Sequence, residues 1–176
     1  MRNPLHHLGR SFRLLLVGTV LALAGAAALA EAPSGKFEDL EGKPAAVSDY
    51  FSPDQWLVLM IWAADCHVCN MEVESYAMLH EAQKDKRLRL LGLSIDGPAN
   101  VAEARDFVQR HDVPFPNLIG DAMTVGEYYA QVSGRGFMGT PSFVIFRPDG
   151  TPAASQAGAV PGDVIVEYIE SQSTGQ

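Results

Sequence analysis

Cys66 and Cys69 are the only cysteines of the chain. They are separated by His67 and Val68 and lie within the stretch LVLMIWAADCHVCNMEVESYAMLHE, residues 57–81. Two thiols at this spacing can form a structural bridge, hold a metal or pass electrons. A bridge closing so small a loop removes little entropy from the unfolded chain, and a domain of this length buries enough surface to do without it. On a helix, residues i and i+3 share a face, so the pair can stand as a disulfide in one state and as two thiols in the other. A helix start also offers unpaired N–H groups and a dipole that favour a negative sulfur. Cys66 is therefore the expected attacking thiol, and Cys69, one turn inside the helix, the shielded thiol that resolves a mixed disulfide. In this reading the disulfide itself is the redox group, with no other cofactor and no metal. The alternative is a copper carrier holding Cu(I) on Cys66, Cys69 and either His67 or Met71, since soft sulfur ligands suit that ion. A zinc finger does not fit, because His80 and His111 lie 31 positions apart rather than a few. Both histidines are expected at the surface or at helix flanks.

Placing such a pair takes a strand to deliver it and a helix to receive it. Trp56 to Trp62 is apolar almost throughout, which predicts a central parallel strand covered on both faces. Val73, Tyr76 and Ala77 recur at i, i+3 and i+4, so the chain turns helical directly after the cysteines and runs to about Asp85. LRLLGLSI, residues 88–95, reads as a second buried strand. Asp96-Gly97-Pro98 breaks the chain, and Val101, Ala104 and Val108 mark a helix with one apolar face. VPFPNLIGD holds a short strand, and Thr124 to Val132 is weakly helical. A Gly-rich loop, SGRGFMGTP, precedes the strand SFVIF, the tight turn RPDG and a poor strand, TPAASQAGAV, whose Pro152 suits a sheet edge. Val164, Ile165, Tyr168 and Ile169 give a closing amphipathic helix. Upstream, KFEDLEGKPAAVSDYF reads as a hairpin around Glu41-Gly42-Lys43. Strands alternating with helices, then a hairpin and a helix, predict an α/β sandwich with a mixed sheet.

IWAADCHVCNMEVE resembles the active-site segment of the TlpA/ResA-type thioredoxin-like proteins, which runs F-W-A-x-W-C-x-x-C-x-x-E-x-P. The likeness continues through LLGLSIDGPANVAEARDFVQRHDVPFPNLIGD, similar to the strand, helix and strand which that family inserts into the thioredoxin core, and through GTPSFVIFRPDG, similar to its proline loop and hairpin. It covers about residues 36–171. The resemblance implies a thioredoxin-like α/β sandwich and an exported protein thiol:disulfide oxidoreductase that reduces protein disulfides, cytochrome c maturation being the best-known family task. It implies a membrane electron donor for recycling, because a reductant in an oxidising compartment must be recharged. It also implies a cis Thr140–Pro141 bond facing the disulfide, Thr140 pairing its backbone with an extended substrate, and His67 and Val68 beside that substrate. Glu72 stands at the family's acidic position and is expected to relay the proton that Cys69 loses; the plainer reading is a solvated acid near the helix start.

The chain departs from that pattern in three places. Asp65 replaces Trp before the first cysteine, and its charge opposes a thiolate at Cys66, whereas a protonated His67 acts the other way. These two residues are expected to tune the redox couple. Glu74 replaces the helix proline, and SGRGFMGT is longer than usual. Strong oxidants of this fold carry His before the second cysteine, where this chain has Val68. A peroxidase needs one reactive cysteine in a different loop context.

Arg2, Arg10 and Arg13 precede the apolar run Leu14 to Ala30, which ends in small residues and contains no acid. Residues 1–30 read as a secretory signal peptide cut after Ala30, with residues 31–176 as one thioredoxin-like domain located in the periplasm. The alternative is an uncleaved membrane anchor, although 17 apolar residues fall short of the roughly 20 that span a bilayer. Removing the segment takes 3 of the 13 basic residues and none of the 21 acidic ones. The remaining net charge, 10 minus 21 or −11, excludes nucleic acid as a partner; the resemblance implies a protein disulfide as the substrate.

Overall fold

The computed structural model describes residues 36–173; the expected signal segment, 1–30, lies outside the described residues. β1 (Lys36–Asp39) and β2 (Pro44–Ala46) form the expected hairpin. It turns at Gly42, whose φ of 84° suits a residue without Cβ, and the Asp39 carboxylate accepts the N–H groups of Glu41 and Lys43. A 3₁₀ turn at Val47–Tyr50 leads to β3 (Trp56–Trp62), α1 (His67–Gln83), β4 (Leu88–Ser94), α2 (Val101–Arg110) and β5 (Asn117–Ile119). α3 (Ala122–Ser133), β6 (Ser142–Phe146), β7 (Pro152–Ala157) and α4 (Gly162–Ser173) follow.

The seven strands form one sheet in the order β2-β1-β5-β4-β3-β6-β7. β3 pairs parallel with β4 and antiparallel with β6, and β4 pairs parallel with β5. The sheet is therefore mixed, with β3 at its centre and the poor strand β7 at its edge. Every residue of β3 is buried, and alternation along the strand divides them. Trp56, Val58, Met60 and Trp62 pack with residues of α1, α2 and α4, while Leu57, Leu59 and Ile61 pack with α3 on the opposite face. A strand sandwiched in this way must be apolar at every position, and each fully buried large side chain contributes about 1.5–3 kcal/mol relative to exposure.

Local chemistry sets the helix boundaries. α3 begins two residues before the expected Thr124 because Asp121 caps it, with Oδ1 accepting the Thr124 N–H at 2.9 Å, and it ends at Gly134 in the left-handed conformation, the usual C-terminal stop. The expectation for His80 is corrected. Its ring is buried, not at the surface, and Nδ1 accepts the Leu90 N–H at 3.1 Å. That N–H lies where β5, paired only with Gly92–Ser94, has not yet begun. His80 follows Val73 by seven residues and Tyr76 by four, so it continues the buried stripe of α1.

Candidate active site

β3 ends at Trp62 and α1 begins at His67, so residues 63–66 must turn the chain without a ladder to hold them. Side chains do this instead. The Cys66 N–H donates to the Ala63 carbonyl at 3.2 Å, closing the turn. The Ala64 N–H donates to both carboxylate oxygens of Asp96, at 3.0 and 3.2 Å, and the Ser94 hydroxyl donates to the same carboxylate at 2.6 Å. The Ala64 carbonyl accepts from the Asn70 amide at 3.0 Å.

Cys66 is the N-cap of α1, and its Sγ accepts the Cys69 N–H at 3.1 Å. This is the place where a capping Ser or Asp puts its oxygen. The two cysteines are joined in a disulfide with their Cα atoms 5.2 Å apart. Cys69 is 0% exposed and Cys66 half-buried, so only the first sulfur can meet a large partner. A Cys66 thiolate in this position would have the Cys69 N–H as a donor, and bonds to a charged acceptor contribute about 1.5–3 kcal/mol, more than bonds to a neutral one.

Asp65, His67 and Val68 are exposed around the disulfide. Glu72 is half-buried in the second turn of α1. Its charge reaches Tyr76, whose phenol pKa is raised chiefly by burial, with Glu72 adding to the rise. The Tyr76 hydroxyl donates to the Val160 carbonyl at 3.0 Å and accepts the Val160 N–H at 3.1 Å, which ties α1 to the turn before α4.

The Thr140–Pro141 bond is cis. Because Ser142 pairs with Ile61, Pro141 lies at the end of the sheet from which β3 delivers the cysteine loop. The Pro141 carbonyl accepts the Gly158 N–H at 2.8 Å, and the Ser142 hydroxyl donates to the Gly139 carbonyl at 2.6 Å. Thr140 takes part in neither bond. In the long Gly-rich loop, the Phe137 ring packs against Tyr129 with centroids 5.6 Å apart, while Met138 is 84% exposed.

Residues that sequence reasoning did not assign to the site support it. Asp96 and Asn70 hold the loop as described. Trp62 donates from Nε1 to Asn117 Oδ1 at 3.0 Å and stacks on Phe107 at 4.2 Å, and Phe107 in turn contacts the His111 ring at 4.9 Å. His111 sits at the end of α2, as a helix-flank residue was expected to, but its side chain is only 12% exposed. Asn70 carried one readable signal, an Asn at helical spacing i+4 from Cys66, a residue type that bonds nearby backbone in preference to solvent. Asp96 carried none, since its partner lies 32 residues away. Among the described residues, no group of three or more His, Cys, Asp and Glu side chains is placed to hold a metal ion.

The sequence profile of the AhpC/TSA family matches residues 29–153. Among solved structures, the chain is similar to a secreted Mycobacterium tuberculosis disulfide oxidoreductase homologous to Escherichia coli DsbE, with 22% identity over 77% of this chain and 94% of that one and a TM-score of 0.58. A DsbF homologue from Corynebacterium diphtheriae is 23% identical over 77% of this chain and 82% of its own, with a TM-score of 0.64. A thioredoxin-type protein from Neisseria meningitidis is 19% identical over 82% and 91%, with a TM-score of 0.65. The fold is thus thioredoxin-like.

Proposed function

Because the chain belongs to the AhpC/TSA family and carries a C-x-x-C disulfide at the helix start of a thioredoxin-like fold, we propose that it is an exported thiol:disulfide oxidoreductase of the TlpA/ResA type that reduces protein disulfides. The observation that carries this reading is the asymmetry of the pair: Cys66 is partly open and capped by the Cys69 N–H, whereas Cys69 is fully enclosed. The Cys66 thiolate attacks one sulfur of the target disulfide, forming a mixed disulfide and releasing the other target sulfur as a thiolate. Cys69 then loses its proton and attacks Cys66 Sγ. This restores the Cys66–Cys69 disulfide, frees the second target thiol and leaves the target with two electrons. Glu72, one turn beyond Cys69, takes the resolving proton. Thr140 offers its backbone to an extended target segment next to His67 and Val68. Apocytochrome thiols suit such a reductant, and a membrane donor returns the protein to its dithiol form.

In the reduced protein, Cys66 should react with an alkylating reagent at least tenfold faster than Cys69. Cys66→Ser should abolish disulfide reduction, Cys69→Ala should trap targets on Cys66, and Glu72→Gln should slow resolution while sparing the first attack. Asp65→Asn should move the glutathione equilibrium toward the oxidant side. Equal alkylation rates at the two cysteines would overturn the assignment, and unchanged resolution in Glu72→Gln would reduce that residue to a surface acid.

A further inference from the structure

The Asn70 side chain has every hydrogen-bonding position filled. Its amide nitrogen donates to the Ala64 carbonyl at 3.0 Å and to the Cys66 carbonyl at 2.9 Å. Its Oδ1 accepts from Arg110 Nη1 at 3.1 Å and meets His111 Nε2 at 3.0 Å. Four bonds are the full capacity of a carboxamide. The orientation is also fixed by chemistry, because guanidinium only donates and carbonyl oxygens only accept, so a flipped amide would face like against like. With Oδ1 accepting, His111 carries its proton on Nε2, and its Nδ1 faces Glu74 Oε1 at 3.7 Å. Arg110 is held on its own helix by Asp106 at 2.8 Å.

We infer that Asn70 is a positioning residue for the Cys66/Cys69 couple, braced by Arg110 and His111 at the end of α2, and that this brace favours the Cys66 thiolate and a more oxidising potential. The inference rests on reading that couple as the redox centre. The Cys66 carbonyl accepts the Asn70 N–H at 3.0 Å as well as its side-chain amide, so both donors of one residue fix the peptide plane that follows the nucleophile. That plane sets the N-cap geometry in which Sγ points at the Cys69 N–H. The same amide turns its hydrogens toward the loop, so the positive end of its dipole faces the turn that carries the sulfur. Without the amide, the cap loosens and the positive end of a dipole is lost, and both changes disfavour the thiolate.

The test uses the full chain in wild-type, Asn70→Ala, Asn70→Asp and His111→Phe forms. Two quantities are measured: the pH profile of Cys66 alkylation in the reduced protein and the equilibrium with glutathione. A purely structural brace would lower the melting temperature and leave both unmoved. For Asn70→Ala we expect the alkylation midpoint at higher pH and a redox equilibrium shifted about three- to tenfold toward the reducing side, the effect of one or two lost hydrogen bonds, which corresponds to roughly 15–30 mV. Asn70→Asp keeps the acceptor for Arg110 but replaces the donors with negative charge, so it should shift at least as far in the same direction. His111→Phe keeps a ring on Phe107, lacks the N–H, and should shift less. A folded Asn70→Ala whose midpoint and equilibrium stay within twofold of wild type overturns the inference. If Asn70→Ala does not fold, an unshifted His111→Phe overturns it instead. A wild-type protein with no fast-reacting Cys66 and no glutathione-dependent disulfide would overturn the proposed function itself, a separate outcome.

Discussion

Cys66, Asn70 and His80 each show a polar side chain taking the place of a secondary-structure bond. Cys66 caps a helix with sulfur, Asn70 closes a turn that has no ladder, and His80 accepts the β4 N–H of Leu90 on the side where β5 has not begun. His80 has a consequence for pH. Its pKa is lowered from the ordinary imidazole value chiefly by burial, and protonating Nδ1 would break its bond to Leu90. The unfolded chain, with imidazole near 6.5, then binds the proton before the folded one does. Stability from this group is complete above that pH and is lost as pH falls through the folded value. The urea midpoint should therefore be flat from pH 8 to 7 and drop toward pH 5, with a His80→Gln variant showing a shallower drop over the same interval. A parallel drop in both proteins would mean that other groups carry the acid sensitivity. The sequence reading places His80 at the surface or a helix flank, although its place on the Val73–Tyr76 stripe was available. A histidine at a core-facing position is ambiguous until its partner is known, and here the partner is a backbone group on another strand.

Among the elements, β4 has the tightest tolerance. A Cβ on Gly92 would lie 1.8 Å from Asn117 Oδ1 and 2.8 Å from Trp62 Nε1, so the bond between those two side chains exists only because residue 92 has no side chain. Gly92→Ala should displace Asn117 and destabilise the fold by about 1–3 kcal/mol, the usual cost of overpacking. A lower urea midpoint with altered tryptophan fluorescence would report both effects, and a midpoint equal to wild type would show that the strand can give way. The central elements were the legible ones. Trp56–Trp62 was read with the bounds the structure shows, because burial on both faces leaves no room for a polar residue. β6, the turn after it and the edge strand β7 were also read from local composition and from Pro152. The 3₁₀ turn at Val47–Tyr50 and the pairing of β1 with β5 were not, since the first is too short for a periodic signal and the second joins segments about eighty residues apart. The disulfide couple was legible for the same reason β3 was, both partners being three residues apart in one helical turn. Its supports, Asp96 and His111, come from elements that meet it only in three dimensions.

At the scale of the molecule, the sheet separates two hydrophobic cores that share β3, so neither core is complete until both neighbours of that strand are in place. A chain ending at residue 140 would lack β6, β7 and α4, and should give no cooperative urea transition; a cooperative one would show that β3 and β4 suffice with α1, α2 and α3. In the order of synthesis, β3 emerges about eighty residues before its antiparallel partner β6. At about 5–20 residues per second, that is roughly 4–16 s in which the central strand waits with one edge unpaired. The strand that leads into the cysteine turn has no native partner on one side until nearly all of the domain exists.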